Sequence, residues 1–132
     1  MPTTRIAING FGRIGRVFFR EAFENPSLEI VAINDPHDNE SSGHLLRYDS
    51  NYGPYRHEVT WPDNDHFMIN GKKILTFHER DPKKIPWKNA QVDIVIEATG
   101  VFRSREELQW HLDSGAKKVI LTAPPKGKVD HM

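Results

Sequence analysis

Apolar residues along the chain fall into short runs, each closed by glycine, proline or a polar cluster. Arg5-Ile6-Ala7-Ile8-Asn9 is a β-branched run that stops at glycine, the pattern of a buried parallel strand. Ile14, Val17, Phe18 and Ala22 then recur at helical spacing, and Asn25-Pro26 ends that helix. Residues 29–34 (EIVAIN) predict a second buried strand, so strand, turn, helix and strand make one βαβ unit. Ser41 and Ser42 are placed to cap a short helix carrying Leu45, Leu46 and Tyr48.

The middle of the chain changes character. Residues 58–61, 66–69 and 72–77 read as antiparallel strands, with Asn70-Gly71 as a two-residue hairpin turn. They predict an excursion beside the main sheet. Residues 92–99 (VDIVIEAT) return to the buried-strand pattern and end at Gly100. Ser104 with Glu107 forms a capping box for a helix through Leu108, Trp110 and Leu112, and Gly115 ends it. Residues 118–122 make a last strand before Ala123-Pro124-Pro125, and the closing KGKVDHM holds no stop signal.

Residues 9–16 read N-G-F-G-R-I-G-R, which places Gly10, Gly12 and Gly15 in the spacing G-x-G-x-x-G between the first strand and the first helix. In that context the first glycine permits the tight turn, and the second lets backbone approach a pyrophosphate. The third lets the helix pack closely on the strand. The helix N-terminus adds unpaired N–H groups and about half a positive charge. Arg13 and Ile14 supply backbone N–H groups there, and the Arg13 and Arg16 side chains are candidates to add charge.

Asp35 stands 20 residues after Gly15, at the end of the second strand. A carboxylate there accepts hydrogen bonds from ribose hydroxyls and repels a 2′-phosphate. Neither Pro36 nor His37 is an arginine that would offset it, so NAD is expected over NADP. The expected architecture is α/β: a Rossmann-type doubly wound, mostly parallel sheet with an inserted antiparallel hairpin region. In such sheets the ligand lies beyond the carboxyl ends of the strands, where Thr99-Gly100 and Thr122-Ala123 fall.

Composition narrows the chemistry. The 132 residues suffice for one domain, and 18 basic residues balance 18 acidic ones. Neutrality speaks against a nucleic-acid partner bound through bulk charge. No apolar run is long enough to cross a membrane, and no secretory leader is visible, so a cytoplasmic protein is expected. Cysteine is absent, which excludes disulfides, zinc-thiolate sites and a cysteine nucleophile within these residues. His37, His44, His57, His66, His78, His111 and His131 contain no i,i+4 pair, so no metal site is expected. The serines lack a G-x-S-x-G setting. The basic pairs Lys117-Lys118 and Lys126-x-Lys128 read as solvated surface. Tyr52, Tyr55 and Trp61 near Arg56 offer faces to a base but read as packing or subunit contacts, and Trp87 and Trp110 as core or interface.

N-G-F-G-R-I-G-R, V-A-I-N-D-P at 31–36, R-Y-D-S at 47–50 and E-A-T-G-V-F at 97–102 together resemble the phosphorylating glyceraldehyde-3-phosphate dehydrogenases over the whole chain. The resemblance implies NAD contacts at Arg13 and Ile14 for the pyrophosphate and at Asp35 for the adenosine ribose. It implies that Asn9 and Asn34 line the cleft and that Arg80, in F-H-E-R-D-P, sits beside the adenine. Thr99 and Gly100 approach the cofactor from one strand end, and Thr122 from the next, near the nicotinamide. With the turn residues Gly10, Phe11 and Gly12, these form the expected cofactor site. The resemblance further implies a cysteine thiolate and a histidine base in a segment beyond residue 132, a sugar-phosphate substrate and a homotetramer. Residues 1–132 are therefore expected to be the NAD-binding domain, ending before the catalytic domain, and inactive alone. A stand-alone NAD-binding module and the same portion of an erythrose-4-phosphate dehydrogenase are the competing expectations.

Overall fold

The computed structural model describes residues 3–48, 55, 57–102 and 104–122. Asp49, Ser50, Tyr52, Arg56, Lys126, Lys128, His131 and the Ala123-Pro124-Pro125 stretch lie outside the described residues.

Strand β1 (Thr4–Asn9), helix α1 (Arg13–Phe23) and strand β2 (Leu28–Asn34) form the first βαβ unit. Helix α2 (Asn39–Tyr48) leads to β3 (Val59–Thr60), β4 (His66–Ile69) and β5 (Lys72–Phe77). A single 3-10 turn (Pro82–Lys84) precedes β6 (Ile94–Glu97), α3 (Arg105–Asp113) and β7 (Lys118–Leu121).

The seven strands among the described residues join one sheet in the order β3-β4-β5-β2-β1-β6-β7. The contacts β5–β2, β2–β1, β1–β6 and β6–β7 are parallel, while β3–β4 and β4–β5 are antiparallel, so among the described strands β4 alone runs against the rest. The hairpin is thus no excursion beside the sheet, because β5 is the third parallel strand of the winding. Asn70 and Gly71 take φ of +52° and +83°. Those values suit the two-residue turn whose twist matches its strands, and they deliver β5 to β2.

Alternating faces of the strands bury two apolar layers. Ile6, Ile8, Phe19, Ile30, Ile33, Phe67 and Ile74 share one, on the side of α1 and α2. Ala7, Ala32, Trp87, Val95, Leu108 and Val119 share the other, on the side of α3. Between Ile6 and Ala7 the register on β2 skips a residue, which turns Val31 and Ala32 toward the same layer.

Helix boundaries depart from expectation in two places. In α1 the buried face is Gly15, Arg16, Phe19 and Ala22, while Ile14 is 54% exposed. Helix α2 begins before the two serines, and Asp38 Oδ1 accepts from Ser41 N at 2.8 Å in the capping role. Hydrogen bonds from Ser41 hold the Asp38 carboxyl below the usual carboxylate range. Ser42 instead lies buried within α2, as does Leu46, whereas Leu45 and Tyr48 are exposed. The capping box of α3 forms as expected: Ser104 Oγ accepts from Glu107 N, and Glu107 Oε1 from Ser104 N. Tyr55 packs edge-on to Phe19, and Trp61 lies under the Arg47 guanidinium, so both rings serve packing.

Candidate functional site

Beyond the carboxyl ends of β1, β2 and β6 the structure opens a cleft of about 340 Å³. It sits where the winding reverses, with β2 on one side of β1 and β6 on the other. Of the twelve expected residues, Asn9, Gly10, Gly12, Asn34, Asp35, Arg80 and Thr99 line it.

The glycine turn is built by contact. Gly10 has φ +98°, and a Cβ on it would lie 2.8 Å from Thr99 N. A Cβ on Gly15 would lie 2.1 Å from the Gly10 carbonyl oxygen, so α1 rests directly on the turn. Gly12 faces open space in the cleft wall. No side chain among the described residues caps α1, and its first turn carries no acid. The positive end of the helix therefore stands at Gly12 in the cleft wall with no capping side chain among the described residues.

The remaining expected residues have other placements. Phe11 buries its ring against Phe19 and Phe67, and its N–H donates to Asp35 Oδ2 at 2.7 Å. Arg13 and Ile14 are exposed at the first turn of α1, and Gly100 lies between the lining residues Thr99 and Val101. Thr122 is not brought into the cleft: its N–H and Oγ1 both donate to the Glu97 carbonyl, at 3.2 and 3.0 Å. Arg16 also differs from expectation, turning inward to donate from Nη1 to the Phe11 carbonyl at 3.0 Å. It braces the turn.

Beneath the cleft runs a buried polar chain that sequence reasoning missed. Glu97 Oε1 accepts from Asn9 Nδ2 at 2.7 Å and from His111 Nε2 at 2.7 Å. Its Oε2 accepts from Thr99 N at 2.9 Å and Thr99 Oγ1 at 2.6 Å. Trp87 Nε1 donates to His111 Nδ1 at 3.0 Å, so the ring's proton sits on Nε2 and faces the carboxylate. Asn34 Nδ2 donates to Asn9 Oδ1 and to the Glu79 carbonyl, while Glu79 N donates back to Asn34 Oδ1. Four donors on a fully buried carboxylate fix the side chains of Asn9 and Thr99 at the cleft. The visible signal was a glutamate closing the apolar run of residues 94–97. Its partner on α3 had none.

The reversed winding, the glycine turn into α1 and the acid closing β2 define a dinucleotide-binding α/β domain. The family model described as "Glyceraldehyde 3-phosphate dehydrogenase, NAD binding domain" matches residues 4–105. The chain belongs to this family, and its cofactor is NAD. It is 52% identical over 126 residues to a glyceraldehyde-3-phosphate dehydrogenase of Thermotoga maritima, covering 94% of this chain and 38% of the relative. It is 50% identical over 121 residues to glyceraldehyde-3-phosphate dehydrogenase 3 of Saccharomyces cerevisiae, covering 91% and 36%. Glyceraldehyde-3-phosphate dehydrogenase 2 of Bacillus subtilis is 47% identical over 124 residues, covering 94% and 36%. The chain thus spans little more than a third of the length of these relatives. No helix among the described residues is long and apolar enough to cross a membrane.

Proposed function

We propose that residues 1–132 are the NAD-binding domain of a phosphorylating glyceraldehyde-3-phosphate dehydrogenase, which oxidises the aldehyde of a sugar phosphate with NAD and inorganic phosphate. NAD supplies the hydride acceptor. The observation that carries the reading is the cleft itself, with an uncapped helix N-terminus in one wall and Asp35 in the other. Backbone N–H groups of Arg13 and Ile14, beside the open space at Gly12, hold the pyrophosphate. Asp35 receives the adenosine ribose, and Arg80 flanks the adenine. Asn9 and Asn34 form the floor, Gly10 and Phe11 shape the turn, and Thr99 with Gly100 approach the cofactor from the end of β6. Thr122 acts on that side only through the end of β6, where it is bonded to Glu97.

The sequence holds no cysteine. In this reading the thiolate that forms the thioester, and the histidine base beside it, come from outside residues 1–132. A sugar-phosphate substrate, a cytoplasmic location and a homotetramer complete the proposal by kinship with the family.

Titration calorimetry of this chain with NAD is expected to give micromolar-range binding. Asp35→Ala is expected to weaken NAD by about tenfold, the size of one hydrogen bond to a charged group. It should also narrow the preference over NADP, and unchanged selectivity would refute the role given to Asp35. NADH formation from glyceraldehyde 3-phosphate by this chain alone would overturn the external thiolate.

A further inference from the structure

Asp35 is already engaged by its neighbours. Oδ2 accepts from Phe11 N at 2.7 Å. Oδ1 accepts from His37 N at 2.9 Å and lies 2.7 Å from His37 Nδ1. A carboxylate offers about four acceptor positions, so a single one, on Oδ2, is left. A ribose brings two hydroxyls. The imidazole of His37 therefore competes with a hydroxyl for Oδ1, and that side chain is 76% exposed and has room to turn away.

Other charged groups surround the pair. Asp38 follows on the same loop, and Glu79 and Arg80 line the adjoining cleft wall. His78, just after β5, places Nδ1 at 3.1 Å from the Asp35 carbonyl and 2.8 Å from the His37 carbonyl. Its Nε2 lies 2.8 Å from the Asn64 carbonyl. All three partners only accept, so both ring nitrogens donate when the ring is an imidazolium. The hydrogen bonds of that ring go to backbone carbonyls, not to the Asp35 carboxylate.

Building on the NAD site proposed above, we infer that His37 is a specificity-determining residue, setting the choice between NAD and its 2′-phosphorylated form according to its own protonation. Neutral, the ring yields Oδ1 to the ribose hydroxyl, and the Asp35 charge repels a 2′-phosphate. Protonated, it holds Oδ1 as an ion pair, cancels that charge and offers a cation to the 2′-phosphate. Histidine is the side chain that ordinarily changes charge between about pH 5 and 8. Acidification therefore weakens NAD binding and strengthens NADP binding.

The test measures the dissociation constants of NAD and NADP for this chain at pH 8.0 and 5.5, in wild type, His37→Leu, His37→Lys and His78→Gln. The 2′-phosphate itself gains a proton near pH 6, so the readout is the difference between wild type and His37→Leu, which share that effect. The wild-type NAD preference is expected to fall by about fivefold more than that of His37→Leu, the size of one exposed ion pair. His37→Lys should hold the low preference at both pH values, and His78→Gln should keep the wild-type response. Equal responses in wild type and His37→Leu, or a response lost only in His78→Gln, would overturn the inference. Asp35→Ala separates the two levels: unaltered NAD binding there removes the site, whereas an effect there with none in His37→Leu removes only the switch.

Discussion

Glu97 is 0% exposed, and every acceptor position on its carboxylate is met by Asn9, Thr99 or His111. Glu97→Gln keeps the shape but turns an amide N–H₂ toward existing donors. It is expected to cost about 2 kcal/mol, in the range for leaving buried hydrogen-bonding groups mispaired, read as a lower urea midpoint. The same variant should weaken NAD, because Asn9 and Thr99 lose their anchor. Gly15→Ala places a Cβ on the Gly10 carbonyl and should cost at least about 2 kcal/mol while opening the turn. These two residues differ in how readable they were. Gly15 is legible because its need is local, set by a fixed spacing within one turn. Two partners of Glu97, Asn9 and His111, are not, because they lie 88 and 14 positions away and meet only when the sheet closes. Arg16 departs from its expectation for a related reason: a helical arginine next to a turn reads as charge for a phosphate until the turn's carbonyl is seen to take its Nη1.

Among the elements, those with self-contained signals formed where expected. The Asn70-Gly71 turn, the Ser104 capping box and the apolar runs of β1 and β2 each encode their structure within a few residues. Ser104→Ala is expected to cost about 1 kcal/mol by thermal or urea unfolding, the usual worth of such a cap. The loss should be felt at His111, two turns along α3. The start of α2 was less legible because Asp38, Ser41 and Ser42 are all competent caps. The structure chooses Asp38, and Asn39 then reaches inward to donate to the Asp63 and His66 carbonyls and to Thr76 Oγ1. The position of β5 could not be read from the hairpin alone. Antiparallel pairing with β4 and parallel pairing with β2 share one strand, and only the sheet as a whole shows both.

At the scale of the molecule, the end of the sheet opposite the cleft is tied by Asp93. Its Oδ2 accepts from Arg5 N at 3.0 Å, and Lys117 Nζ lies 3.0 Å from Oδ1. The Arg5 N–H and the Lys117 ammonium hold this carboxyl below the usual carboxylate range. A depressed folded-state value means that the contribution is present above the unfolded value, near pH 4, and is lost as the pH falls through the folded one. Asp93→Asn should therefore lower stability at pH 7 by up to about 1 kcal/mol and have little further effect near pH 2, by urea unfolding at both pH values. The cleft end has a different consequence. Asn9 lies in the first strand and Glu97 in the sixth, so the floor of the cleft joins residues 88 apart. During synthesis the glycine turn leaves the ribosome well before β6, and the floor beneath it is incomplete until β6 has emerged. Closure of the cleft during synthesis thus waits for the sixth strand, and a cofactor bound there is expected to act as a late latch on a nearly finished sheet.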